Sequence, residues 1–290
     1  MGILKSWRRR RLLRRASLDE ALWRSVVGGL PFLDYLDQIE LARLREMALI
    51  FLDEKEMHGA HGLTLADDVR LAIALQACLP VLNLGLDVYN GWIGIVVHPG
   101  EFRVHREEVD DAGVVHEWED ELAGESWPGG PVVLSWADVR RGEAGYNVVV
   151  HEFAHKIDML KGDADGFPLA HRGMVATTWH SVLAEGYEKF CAAVERGAQQ
   201  SSRLGDDFAP LNERGEHLPF DPYAAEHPAE FFAVMSEEFF TDPLTLRDAF
   251  ADLYRQLALF YRQDPARRLD GRVDENGDEK RDENGARSEA

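Results

Sequence analysis

His151-Glu152-Phe153-Ala154-His155 is the stretch whose residue types and spacing can do chemistry. Two histidines four apart share one face of a helix, so both imidazoles can reach a single metal ion. Glu152 adjoins the first histidine and cannot easily bind the same ion. It can instead hold a water and take its proton. Zinc suits this set, because it accepts nitrogen and oxygen donors and keeps a position open for water in hydrolytic sites. The five-residue pattern is short and can arise by chance, so its surroundings matter. Val149, Val150, Phe153, Ala154 and Ile157 supply a buried helix side, with His151, Glu152 and His155 on the other. Burying two histidines and a glutamate without partners would be costly. The plain alternative is a helix whose histidines are hydrogen-bonded in the core.

A hydrolytic zinc site needs one further protein donor. The longer pattern with a third histidine at fixed spacing is absent, since Asp158 and Lys161 stand where Gly and His are required. Spacing leaves Asp158, His171, His180, Glu185, Glu188, Glu226 and Glu230. Pro228 is a natural first-turn residue, which puts Glu230 in the first turn of an otherwise apolar helix beside Ala229, Phe231 and Phe232. Its simpler role is to interact with the helix N-terminus. Glu185 and Glu188 come next. Glu237, seven residues on and near the same helix face, is either a residue that orients a ligand histidine or a surface residue.

Other elements must position these groups. Leu18 to Leu52 has helical periodicity, broken near Leu30-Pro31-Phe32-Leu33. Glu54 to Gly62 reads as a polar loop. Thr64 reads as the N-cap of a helix that Pro80 ends, with Asp67 in the capping-box position. Trp92–Val97, Val114–Trp118 and Pro131–Trp136 read as strands of a small sheet beside the metal helix, with a turn at Ser126–Gly130. A strand at the edge of that sheet could hold an extended peptide. His116-Glu117-Trp118-Glu119-Asp120 imitates the metal motif, but it lies in a predicted strand and lacks the second histidine. His58, His61, His98 and His105 read as loop or surface residues. Val175–Val194 and the segments from Pro228 and Leu244 read as helices, and Arg196–Pro219 as loop. The loop after the metal helix lacks the twelve-residue calcium spacing.

Composition bounds the rest. The chain has 290 residues, 45% of them hydrophobic, enough for a substantial core. Two cysteines, Cys78 and Cys191, read as buried thiols in a reducing compartment rather than as a disulfide framework. No apolar run is long enough to span a membrane. Net charge is −20, with seven basic residues among the first fifteen. The remainder is strongly acidic, which argues against direct nucleic-acid binding outside that arm. The arm has no signal-peptide apolar region. Met1–Ser6 fits the loose N-myristoylation pattern. Contact of the arm with an anionic membrane surface is a further reading, and a solvated leader is the default.

Several blocks carry a resemblance. They are Asn147–Met159, Gly124–Trp127 with Gly130–Trp136, and Tyr223-Ala224-Ala225 with Pro228–Ala233. Pro99–Phe102 and Phe260–Pro265 also fit. Together, over about Ser17 to Pro265, they resemble the Mlc titration factor A family of bacterial zinc peptidases. The resemblance implies an α+β fold: a zincin-like metallopeptidase domain similar to the catalytic domain of anthrax lethal factor, with a mostly helical N-terminal part and a small mixed sheet. It implies one Zn2+ held by His151, His155 and Glu230, Glu152 as general base, and Tyr223 as the active-site tyrosine, able to donate to an oxyanion. It also implies a cytoplasmic enzyme that hydrolyses peptides in an aminopeptidase-like way. Binding of the repressor Mlc would modulate expression of the glucose phosphotransferase system. The expected organisation is a basic arm over 1–16, one domain over 17–265 and a disordered acidic tail over 266–290. The alternatives are a non-catalytic repressor-titrating protein with a structural or regulatory zinc site, and a metal-dependent hydrolase of non-peptide amides.

Overall fold

A computed structural model describes residues 2–109, 115–140, 144–204 and 209–271. The N-terminal part is helical: α1 (Gly2–Leu13), α2 (Glu20–Gly28) and α3 (Gln38–Glu54). A 3-10 turn at Pro31–Leu33 separates α2 from α3, where the proline breaks the helical periodicity. Asp37 closes a reciprocal capping box with Glu40 at the start of α3. Then come β1 (Glu56–Gly59), α4 (Asp67–Cys78), β2 (Gly94–His98), β3 (Phe102–Val109) and β4 (Val115–Leu122). They are followed by β5 (Gly124–Ser126), β6 (Val132–Ser135), α5 (Trp136–Val139) and α6 (Val148–Asp158), the helix of the His-Glu motif. The C-terminal part is α7 (Ala176–Leu204), α8 (Pro228–Thr241), α9 (Pro243–Ala249) and α10 (Ala251–Tyr261). The fold is α-rich with a small mixed sheet.

That sheet has the order β1-β2-β6-β5. β1, β2 and β6 run parallel, and β5 pairs antiparallel with β6 at one edge, Glu125 opposite Val133. β3 and β4 form a separate antiparallel ribbon. The apolar side of α6 enters an aromatic cluster. The Phe153 ring lies 5.7 Å from Phe51, 5.1 Å from Tyr89 and 5.7 Å from Trp92, centroid to centroid. Val149, Val150 and Ala154 are fully buried beside it. Burial of such side chains is worth about 1.5–3 kcal/mol each, and it fixes which face of α6 is turned away from the core.

Local expectations fail where pairing partners are distant in sequence. Glu54–Gly62 is not simply loop, because Glu56–Gly59 pairs with residues 94–97. Its sequence, Glu-Met-His-Gly, has no β-branched residue to signal a strand. Thr64 does not cap α4: the N-cap is Ala66, with no side-chain bond. β3 and β5 were not expected. α7 runs ten residues beyond Val194, into the segment read as loop. The single helix expected from Leu244 is two, broken at Phe250. Cys78 is fully buried, Cys191 only partly.

Both ends also depart from expectation. The arm is helical and anchored: Lys5 pairs with Asp87, Arg8 with Asp53, and Arg9 with Glu54 and Asp87. Residues 265–271, placed across the start of the expected tail, are helical. Ala266 is buried there, its backbone N–H donating to Tyr254, and Arg268 pairs with Glu40. The remainder of that tail, from residue 272, lies outside the described residues.

α8 also carries a buried carboxyl with a consequence for stability. Glu238 is 2% exposed, and burial, then Asp242 and Glu237, push its pKa up to about 8. Between the ordinary glutamate value and pH 8 the folded chain therefore holds a proton that the unfolded chain releases. This contribution is fully present below about pH 4.5 and lost as pH rises to about 8. Glu238→Gln removes it, so thermal melts should show a larger gain over wild type at pH 8 than at pH 5. Equal differences at both values would show that Glu238 is ionised throughout.

Candidate metal centre

α6 starts at Asn147, whose side chain accepts the Val150 N–H at 2.9 Å. That cap fixes where the first turn begins and so where His151 and His155 project. Their rings stand 4.8 Å apart. α8, packed against α6, begins with His227 as N-cap and Pro228 in its first turn. Glu230 therefore faces the histidines. Its Oε2 lies 3.0 Å from His151 Nε2 and 3.2 Å from His155 Nε2, and the two Nε2 atoms are 3.1 Å apart.

These three donors form a group that could hold one ion. Ligand atoms around a tetrahedral ion with bonds of about 2.0–2.2 Å stand roughly 3.3–3.5 Å apart. The observed separations fall a few tenths of an ångström short, so an ion fits with slight outward adjustment. Facing imidazole nitrogens beside a carboxylate need protons or a cation between them, which is the chemistry of a metal donor set. Glu230 is accordingly held well below the ordinary carboxylate range. Its burial acts the other way but is outweighed by bonds to His151 and His155.

Glu237, 3% exposed, lies behind His151 with Oε1 2.6 Å from Nδ1. Its other oxygen accepts the Asn147 N–H. A carboxylate only accepts, so Nδ1 carries a proton toward Glu237, and Nε2 is the ring atom left to face Glu230 and His155. His155 has no such partner among the described residues. Glu237→Ala should weaken metal affinity by about 10–100-fold, measured by competition with a chromogenic chelator. Unchanged affinity would remove Glu237 from the centre.

Glu152 is 4% exposed. Burial raises its carboxyl above the ordinary value, against the pull of His151 and His155. β5 lies directly on it: a Cβ at Gly124 would sit 2.4 Å from Glu152 Oε1. Ser126 Oγ donates to the Glu152 carbonyl at 3.0 Å. Lys156 Nζ donates to the carbonyls of Trp127 and Gly130, at 2.6 and 2.8 Å, and ties the β5–β6 turn to α6.

Tyr223 sits in a 3-10 turn, Pro222–Ala225, capped by Asp221. Its ring is 6.3 Å from that of His151 and the residue is 38% exposed. Tyr187 Oη and Cys191 Sγ, both on α7, donate to Ala225 and hold the turn. A cleft of about 580 Å³ is lined by Gly124–Trp127, Tyr223 and His227 together with His151, Glu152, His155 and Glu230.

The other candidate donors do not join the group among the described residues. Asp158 accepts the Gly166 N–H at 2.6 Å, and burial pushes its pKa up to about 6. That bond holds the following loop near α8: Gly166 has φ +83°, and a Cβ there would lie 2.2 Å from the Pro228 carbonyl. His171 bonds to carbonyls of α10, and His180 stacks on Phe167. Glu185 and Glu188 lie on α7, and Glu226 ends the Tyr223 turn. Sequence reasoning missed three contributors: Asn147 as cap, Gly124 as close approach and Lys156 as tie. Only the first had a local signal, an Asn just before an apolar helical run.

A profile of the glucose-regulated metallo-peptidase M90 family matches residues 4–262. The chain belongs to this family. The match begins within α1, whereas the resemblance noted above begins near Ser17, so the M90 likeness includes most of the basic helix. Curated relatives share the name Mlc titration factor A. That of Pectobacterium atrosepticum is 37% identical over 250 residues, 85% of this chain and 88% of the relative. That of Klebsiella pneumoniae subsp. pneumoniae is 36% identical, covering 89% and 92%. That of Serratia proteamaculans is 36% identical, covering 89% and 93%. The M90 family is one of metallopeptidases, and the His151-His155-Glu230 group could hold one metal ion in this chain.

Proposed function

We propose that the chain is a zinc-dependent peptidase with a zincin-like centre, aminopeptidase-like in action. The observation that carries this reading is the convergence of His151 Nε2, His155 Nε2 and Glu230 Oε2 beside the buried Glu152. His151, His155 and Glu230 would hold the zinc. When bound, zinc polarises the scissile carbonyl and lowers the pKa of water. Glu152 is the general base: its carboxylate takes the water's proton and passes it to the leaving amine. Its raised pKa suits a group that must both accept and release a proton. Tyr223, at the cleft, donates from its phenol to the developing oxyanion. β5 is the edge strand of the sheet and lines the cleft. Its outer edge, which no described strand pairs with, is suited to an extended peptide, which would present a carbonyl beside Glu152.

The relatives' name supports a second, compatible role. We propose that this chain also binds an Mlc-type repressor in the cytoplasm and so modulates glucose phosphotransferase expression. Metal-assisted hydrolysis of non-peptide amides is the weaker alternative.

The deciding experiment is incubation of metal-quantified protein with a mixed peptide library, with and without chelator, and mass spectrometry of the products. Chelator-sensitive cleavage is expected, and the product ends show whether single N-terminal residues are removed. Metal-loaded protein that cuts no peptide would leave repressor binding as the primary role, and a pull-down with an Mlc-type repressor then tests that.

A further inference from the structure

α1 has two unlike faces. Lys5 and Arg9 point inward to Asp87 and Glu54, and Leu12 and Leu13 pack against the core. The outward residues are Leu4, 78% exposed, Trp7, 55% exposed, and Arg8, Arg10 and Arg11. Arg14 and Arg15 are exposed in the turn that follows. Arg11 lies over the Trp7 ring, 5.4 Å from its centroid. Arg8 pairs with Asp53, but Arg10, Arg11, Arg14 and Arg15 have no carboxylate within ion-pair distance among the described residues. An aromatic and an aliphatic side chain thus stand at the centre of an arginine face, on a helix pinned to an otherwise acidic protein.

We infer that this face docks the protein onto an anionic lipid bilayer. The charge is complementary to acidic headgroups, and Leu4 and Trp7 are of the kind that enter the headgroup–acyl boundary of an interfacial helix. Nucleic acid would also attract the arginines, but backbone tracking makes no use of an exposed leucine at the centre of the face. The inward pairs of Lys5 and Arg9 hold the face outward, so docking needs no rearrangement of the fold. No described helix is long and apolar enough to cross a membrane.

The full chain is tested by co-sedimentation with vesicles of phosphatidylcholine alone and of phosphatidylcholine mixed with phosphatidylglycerol. Binding is expected only to the mixed vesicles, with release at high salt. Each basic group near such a surface contributes about fivefold in partition. Reversing Arg10, Arg11, Arg14 and Arg15 to Glu should therefore lower partition by on the order of a hundredfold or more. Leu4→Ala with Trp7→Ala should also weaken it, at unchanged charge and unchanged melting temperature. This second variant carries the test if the fourfold reversal does not fold. Absence of binding, equal binding to both vesicle types, indifference to both variants, or tighter binding to a DNA duplex than to mixed vesicles would each overturn the inference.

Discussion

Glu152→Gln is expected to lower peptide turnover by about 10²–10⁴-fold while leaving metal content unchanged. Gln has the same shape but cannot take a proton. The residue lies beside the donor group without joining it, so its replacement spares His151, His155 and Glu230. Glu152 Oε2 is buried and makes no hydrogen bond within the described protein, so Gln breaks no bond at that atom. Steady-state kinetics beside elemental analysis separates the outcomes. Turnover within tenfold of wild type would show that another group is the base. Loss of metal would show that Glu152 is needed to assemble the centre.

The second large effect is expected at a residue with no side chain. Gly124→Ala should reduce turnover by about 10²-fold with little change in melting temperature or metal content. The new Cβ would lie 2.4 Å from Glu152 Oε1, 2.7 Å from Cγ and 2.8 Å from Cδ. Either the carboxylate turns away or β5 lifts from α6, and both misplace the base relative to the edge strand. Gly124 is not in the left-handed region, so the alanine backbone itself is unstrained. A displaced base should lower kcat more than it raises KM. Full activity in this variant would show that the close approach of β5 is only packing.

The legible parts of this protein are those whose signals lie within one element. The His151–His155 spacing, the apolar side of α6, the strands β2 and β6 and the Pro228 start of α8 were readable because helix and strand periods are local. Glu230 stood out for a related reason: a carboxylate in the first turn of an apolar helix is a local anomaly. Seven candidates nevertheless remained on spacing alone. The packing of α6 against α8 singles out Glu230, because only proximity brings its Oε2 to 3.0 Å from His151. The same packing turns Glu237 from a helix-face residue into the partner of His151 Nδ1.

β5 shows the limit most clearly. Gly-Glu-Ser has little strand propensity, and of the three only Ser126 falls within the expected turn. It is a strand because Val132–Leu134 offers hydrogen-bond partners, and it needs Gly124 because Glu152 lies beneath it. β1 is likewise made by β2, and the helical run 265–271 is fixed by contacts with Tyr254 and Glu40. Sequence by itself determined the reactive residue types, their spacing on one helix and the apolar surfaces that bury it, because these follow from periodicity and side-chain chemistry. Tertiary structure decided which carboxylate, Glu230, stands beside the two histidines, which one, Glu237, partners His151, and that β5 lies against Glu152, because contacts between distant segments leave no local pattern.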